Sequence, residues 1–240
     1  MCTLSWWIED EDRGVFFNRD EKRTRSAGLP PRLHAFNGRK LLMPMDPDAG
    51  GTWIGVNDSG LIVAVLNNYP YHQELVDARS RGLLVVDLLR DFQTAAEVGS
   101  FIGGANLEIY RGFIIFALGR SGEPVALRWD GRLLESLALS GPEAVPVLTT
   151  SSVRREDCEG FRNQLFHITP REPDLLRALH QQHHPDDPAL GPLMCREDAA
   201  TDSLLEIHLR SNEAKVCFQS VSGNPPEAGQ ILTETLELSN

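Results

Sequence analysis

Residues 61–66, Leu61-Ile62-Val63-Ala64-Val65-Leu66, form an unbroken apolar run. A strand with one face in water alternates apolar and polar side chains. A continuous run therefore reads as a central strand covered on both faces. Residues 52–56 precede it across Asn57-Asp58-Ser59-Gly60, a good hairpin turn. The chain must then supply a layer on each side of this hairpin. At 240 residues it is long enough for one sizeable core, and a single domain over residues 1–240 is the simplest organisation.

The remaining segments supply those layers. Ser80 is placed to cap a helix over residues 81–92, and Thr94 to cap another over 95–102, ended by Gly103-Gly104. Residues 113–118, 124–129 and 133–139 are short strand-like runs separated by Gly-containing turns, the pattern of an antiparallel meander. Residues 145–150 form a further short strand. Residues 154–167 and 173–183 read as helices, 204–209 and 216–221 as a third hairpin, and 231–238 as a terminal strand. Residues 22–31 and 185–192 read as loops. Segregated strands and helices predict an α+β fold. Two antiparallel sheets stacked face to face, with a helical layer outside each, would cover residues 61–66 on both sides. This is a four-layer αββα sandwich.

The chemistry concentrates at the start. Residues 4–8 and 15–17 are apolar and flank a charged bridge ending in Gly14, a hairpin pattern that would bring Cys2 beside Asn18-Arg19-Asp20-Glu21. A small second residue normally permits removal of Met1, which would give Cys2 a free α-amino group. Such a group titrates near ~7.7–8.0 and can serve as a base at neutral pH. A thiol needs only a nearby base or cation to become a strong nucleophile. One residue would then supply nucleophile and base together. Lys22, Arg23 and Arg25, directly after this segment, could meet an anionic group or form a solvated loop.

Met1-Cys2, Asn18-Arg19-Asp20-Glu21, Gly50-Gly51-Thr52-Trp53-Ile54-Gly55-Val56, the stretch 61–69 with Asn67-Asn68, and Ser80-Arg81-Gly82-Leu83 together resemble the NRDE, or transport and Golgi organisation two, family. The likeness is dense over residues 1–90. It implies the fold of N-terminal nucleophile hydrolases and, by analogy with their cysteine members, a catalytic set of Cys2, Arg19, Asp20 and Asn68. In that set Arg19 favours the thiolate, Asp20 orients the α-ammonium, and Asn68 of Asn68-Tyr69-Pro70 faces the oxyanion. Asn18, Asn67, Tyr69 and Thr150 are the expected substrate-binding residues. Two positions depart from the cysteine acylases: Thr150-Ser151 stands where an Asn is usual, and Thr201-Asp202-Ser203 where an Arg is usual. The implied activity is hydrolysis or acyl transfer at an amide or related acyl bond of a small molecule. The resemblance also implies haem or lipid-acyl handling for some members, which leaves a non-catalytic binding or trafficking role as the alternative.

Charge and cysteine spacing narrow the partners. A net charge of −11 argues against nucleic acid and against docking on anionic lipid. The cysteines at 2, 158, 195 and 217 show neither C-x-x-C spacing nor a paired His, and no C-x-x-C-H haem motif occurs. His180 and His184 are four apart but lack the intervening Glu of the helical zinc motif, and Pro185 follows, so a solvated helix end is expected. No cofactor and no metal are expected. The acidic, aromatic N-terminus is unlike a secretory signal, and no apolar run is long enough to span a bilayer, so a cytoplasmic protein without membrane insertion is expected.

Overall fold

The structure, a computed structural model, describes residues 2–36, 38–69, 75 and 77–239. In chain order the elements are β1 (Cys2–Glu9), β2 (Asp12–Lys22), β3 (Leu29–Phe36), β4 (Arg39–Met45), β5 (Ile54–Asn57), β6 (Ile62–Asn67), α1 (Arg81–Asp91), α2 (Ala95–Gly104), β7 (Phe113–Leu118), β8 (Val125–Trp129), β9 (Leu134–Ser136), β10 (Leu148–Thr150), α3 (Arg155–His167), α4 (Pro173–His180), β11 (Ala199–Leu209), β12 (Glu213–Ser222), β13 (Glu227–Ala228) and β14 (Leu232–Glu237). One sheet runs β10-β1-β2-β11-β12-β13, with β14 also paired to β12. The other runs β3-β4-β5-β6-β7-β8-β9. Every pairing in both sheets is antiparallel.

The layers follow from strand alternation. Leu4, Trp6, Val15 and Phe17 of the first sheet meet Val56, Ile62, Ala64 and Phe116 of the second in the central core. On the far side of the second sheet, Val63, Val65 and Ile115 pack beneath Leu84 and Leu88 of α1 and Val98 and Ile102 of α2. On the far side of the first, Trp7, Phe16 and Val147 pack against Phe166 of α3 and Leu176 and Leu179 of α4. The result is the expected αββα sandwich. β6 sits between β5 and β7 with Ile62 through Leu66 buried, as an apolar strand covered on both faces requires.

Several local readings are refined. Gly14 lies within β2 and not in the turn. A Cβ there would come within 2.4 Å of the Trp7 indole nitrogen, so the glycine makes room for the neighbouring strand's tryptophan. Asp10, at φ 52°, takes the left-handed position of the turn instead. The stretch read as a loop after Glu21 is shorter than expected, because β2 continues to Lys22 and β3 begins at Leu29. Pro30 and Pro31 are tolerated there because β3 is an edge strand whose pairing to β4 shifts register between Leu29 and Arg32. Thr94 forms a full capping box with Glu97 at the start of α2, whereas the Ser80 side chain makes no cap bond.

The solvated helix end expected at His180 is a correction. α4 stops at His180, whose ring is buried. Its Nδ1 bonds Asn18 Oδ1 at 2.6 Å, and its Nε2 lies 2.8 Å from Ser5 Oγ. Asn18 spends its own amide on the carbonyls of His180 and Pro192, so Oδ1 accepts. The imidazole is thereby the Nδ1–H tautomer with Ser5 donating to Nε2. Burial, reinforced by the nearby Arg162 cation, pushes its pKa down to about 3. The unfolded chain protonates this histidine near ~6.5 while the folded one does not, so stability should fall as pH drops from there toward 3, by at most ~1.4 kcal/mol per unit. His180→Gln should lower stability at pH 8 by about 1–3 kcal/mol and flatten that acid slope. Urea unfolding across pH measures both.

Candidate active site

Strand pairing fixes the position of Cys2. On β1 it lies opposite Arg19 of β2 on one side and Thr150 of β10 on the other. It lines a cleft of about 430 Å3 that also takes in Arg19, Asp20, Asn67 and Trp53. The thiol is pushed up by burial, which disfavours the thiolate, and by the nearby Asp20 carboxylate. The positive chain terminus, a hydrogen bond from the Asp20 backbone and, more weakly, Arg19 act in the other direction. Desolvation is the largest of these effects.

Arg19 and Asp20 are both buried, not an exposed turn pair. Alternation along β2 sends them to opposite faces. The Arg19 guanidinium sits 4.6 Å over the Trp53 ring. It bonds Asp202 at 2.9 Å and Glu21 at 3.1 Å, with Asp46 at 3.6 Å. The acid at 202, where an arginine is usual, is thus a partner of Arg19. It is presented at the register shift between Thr201 and Ser203 in the β11–β2 pairing. Asp20 instead accepts from the Thr201 hydroxyl at 2.7 Å and faces Arg162 of α3 at 3.6 Å. Arg162 is fully buried and also donates to Thr3, Thr149 and the carbonyls of Leu190 and Gly191.

Among the other expected residues, Asn18 does not reach the cleft; its side chain is committed to His180 and Pro192 on the helical side of the sheet. Asn68 does not line the cleft either. Its amide donates to the Trp129 carbonyl at 3.1 Å, and its backbone N–H to Gly112. Asn67, the last residue of β6, is the asparagine in the cleft, and its amide donates to the Tyr69 hydroxyl. Tyr69 is exposed. The buried Thr150 hydroxyl has no hydrogen-bond partner among the described residues. Met1 and Pro70 lie outside the described residues. Arg23 bonds Cys195 and the Arg196 carbonyl, and Arg25 is bound by Glu21, Asp46 and Asp48. The basic cluster after β2 is therefore largely engaged within the protein.

Two further stretches complete the wall. A turn closes between Asp46 and Gly51, with Gly50 at φ 68°. Gly51 then packs directly on Gly82 in the first turn of α1, and Thr52 N–H donates to the Gly82 carbonyl at 3.2 Å. This contact brings Arg81 to the cleft, where its Nη1 donates to the Gly112 carbonyl at 2.8 Å. Arg81, Arg162, Trp53 and Asp46 were not singled out as site residues by sequence reasoning. Only Arg81 and Trp53 fall in stretches that stood out, Ser80-Arg81-Gly82 and Gly51-Thr52-Trp53. No group of three or more His, Cys, Asp or Glu side chains among the described residues is arranged to hold a metal ion. No described helix is long and apolar enough to cross a membrane.

The family model for Transport and Golgi organisation 2 matches residues 2–155, a span that includes both Cys2 and Thr150. A mouse protein, Transport and Golgi organization 2 homolog, is 32% identical over 124 residues, covering 45% of this chain and 43% of the mouse protein. The alignment thus spans less than half the length of that relative. Among solved structures, a variant of conjugated bile acid hydrolase from Clostridium perfringens superposes with a TM-score of 0.54 at 13% identity, covering 100% of this chain and 99% of that one. The Caenorhabditis elegans ortholog of N-acylethanolamine-hydrolyzing acid amidase gives 0.59 at 11% identity over 86% and 92%. At such identities these structures share the N-terminal nucleophile hydrolase fold with the chain and nothing finer.

A Cβ on Gly51 would lie 2.4 Å from the Gly82 carbonyl carbon, a backbone atom that no rotamer change can move. Gly51→Ala should therefore push α1 away from the cleft and destabilise the protein by about 1–3 kcal/mol. Thermal denaturation measures the loss, which should exceed that of Gly103→Ala, where a Cβ meets open space.

Proposed function

The chain belongs to the Transport and Golgi organisation 2 family and shares the N-terminal nucleophile hydrolase fold, and from this we propose that it is a cysteine-dependent amidohydrolase or acyltransferase acting on a small acyl substrate. The observation that carries the reading is Cys2 in a cleft, held in register between Arg19 and Thr150. Removal of Met1 would expose the Cys2 α-amine. The amine takes the thiol proton, and the thiolate attacks the acyl carbon. The C–N bond then breaks, and the proton passes to the departing nitrogen. Water, deprotonated by the same amine, attacks the thioester and releases the acid; a second acceptor in place of water gives acyl transfer. Asn67, which lines the cleft, takes the place first assigned to Asn68 as candidate donor to the oxyanion, and the unpartnered Thr150 hydroxyl, outside the cleft lining but in register with Cys2, is a second. Arg19 tempers the thiol only weakly, because three carboxylates already hold its charge.

One observation favours the alternative of a non-catalytic binding protein: burial holds the Cys2 thiol above its ordinary pKa. Processing separates the two readings, since it moves the chain's positive terminus onto Cys2 itself. Relative to a Met1-retaining form, the processed protein should have its thiol pKa lowered by the adjacent α-ammonium, so that labelling at pH 7 by a limiting electrophile is faster. Cys2 should then label ahead of Cys158, Cys195 and Cys217, and a pool of acyl amides should leave an acyl-thioester on Cys2, read by intact mass. Equal labelling of the two forms, with no acyl adduct, would sink the enzymatic reading.

A further inference from the structure

The arginines that line the cleft fall into two groups. Arg19, Arg25 and Arg79 are each paired with a carboxylate: Arg19 with Glu21, Asp46 and Asp202, Arg25 with Glu21, Asp46 and Asp48, and Arg79 with Asp87. Arg81 and Arg111 line the same cleft and form no ion pair with any described carboxylate. Arg81 donates one nitrogen to the Gly112 carbonyl, and Arg111 makes a long 3.4 Å contact to the Leu75 carbonyl. Asp77 also lines the cleft without forming an ion pair to either.

The position of Arg81 is electrostatically unfavourable in the empty cleft. It is the first residue of α1, where the helix dipole is already positive. The first turn of α1 carries no acidic residue, and Ser80 offers no side-chain cap. Burial disfavours the Arg81 charge and lowers its pKa, and Arg111 adds repulsion, while the Tyr69 phenol and the Glu21 carboxylate act against that lowering. Cys2 is close enough for its ionised thiol to act on Arg81 in the opposite direction. Two guanidinium groups and a helix N-terminus therefore converge beside the nucleophile with positive charge that no described carboxylate pairs directly; Glu21 is near enough to favour the Arg81 charge but is already ion-paired to Arg19 and Arg25. The chain as a whole carries −11, so this local field runs against the global one.

We propose that the cleft selects acyl compounds bearing an anionic group, a carboxylate or a phosphate, which Arg81 and Arg111 grip while the acyl carbon lies at Cys2. This rests on the reading of Cys2 as the acyl-accepting nucleophile, and it adds the charge of the substrate. Arginine suits the task because its planar fork can give two parallel hydrogen bonds to a carboxylate or phosphate.

The test uses the full-length protein with Cys2→Ala, so that binding is read without turnover. N-octanoylglycine and its neutral counterpart N-octanoylglycinamide are titrated by calorimetry in ~150 mM salt, where exposed long-range attraction is screened. The carboxylate should bind at least about tenfold more tightly, the scale of one charge-assisted pair. Arg111→Gln, at an exposed position, and Arg81→Gln should each erase most of that difference and leave the neutral ligand unchanged, while Arg81→Lys should retain part of it. Competition by inorganic phosphate, or by octanoyl phosphate, distinguishes a phosphate-bearing ligand from a carboxylate-bearing one. Equal affinity for the charged and neutral ligands, binding of neither, or equal weakening of both by the arginine variants would overturn the proposal. The same ligands offered to the processed protein with Cys2 intact separate the two readings: carboxylate-selective binding by the Cys2→Ala protein, with no acyl-thioester on the intact one, would leave the anion site standing and remove the enzymatic reading. A thioester formed equally well from both ligands would do the reverse.

Discussion

The cleft depends on the Arg19 guanidinium. It leaves β2 of the first sheet and lies against Trp53 and Asp46 of the connector that joins β4 to β5 of the second, while Asp202 holds it from β11. A buried cation is tolerable only with close partners, and here the carboxylates come from the first sheet and from the β4–β5 connector of the second. Arg19 therefore ties the sheets together at the end where Cys2 lies. The same arrangement limits what Arg19 can do for chemistry. A guanidinium engaged by Glu21, Asp46 and Asp202 has little field left for the thiol, and Arg19 acts on Cys2 more weakly than burial, the chain terminus or Asp20.

Period-two alternation divides the Asn18-Arg19-Asp20-Glu21 stretch between two environments. Arg19 faces the cleft. Asn18 and Asp20 anchor the helical layer, Asn18 through His180 and Ser5, and Asp20 through Thr201 and Arg162. Arg162 reaches Thr3 and Thr149, the neighbours of Cys2 and Thr150 on β1 and β10. Removing either Asp20 or Arg162 would leave a buried charge without its counter-charge, a loss of ~3–5 kcal/mol in comparable pairs. Much of what looks catalytic in this stretch is the scaffold that fixes β1 in place.

The layers were legible because apolar patterning states burial directly. Residues 61–66 required cover on both faces, and the hairpins and the Thr94 capping box follow from local turn and cap chemistry. Facing direction was harder to read. Asn67 and Asn68 are adjacent, and one residue of displacement moves a side chain to the other face. The pattern could locate the polar pair at the end of β6 but not say which member meets the cleft. His180 and Arg162 were missed for another reason. Both are polar residues on helices that would ordinarily point to water, and their burial depends on partners more than a hundred residues away in sequence, Ser5 and Thr3. Gly51 and Gly82 were visible as glycines, but the reason for both, a backbone-to-backbone approach between a turn and a helix start, exists only in three dimensions.

That approach also explains how the cleft separates its charges. Packing Gly51 on Gly82 brings the N-terminus of α1 to the site, and with it Arg81 at a position where the helix dipole repels a cation. Arg19 of β2 and Arg25 of the following loop are neutralised by Glu21 of β2 and by Asp46 and Asp48 of the connector between β4 and β5. No described acid forms an ion pair with Arg81, and Glu21, the carboxylate near enough to favour its charge, is already paired with Arg19 and Arg25. The buried cations Arg19 and Arg162 each have a carboxylate beside them. A cation held against a helix dipole, beside a second arginine and a buried thiol, has its natural counter-charge in whatever enters the cleft.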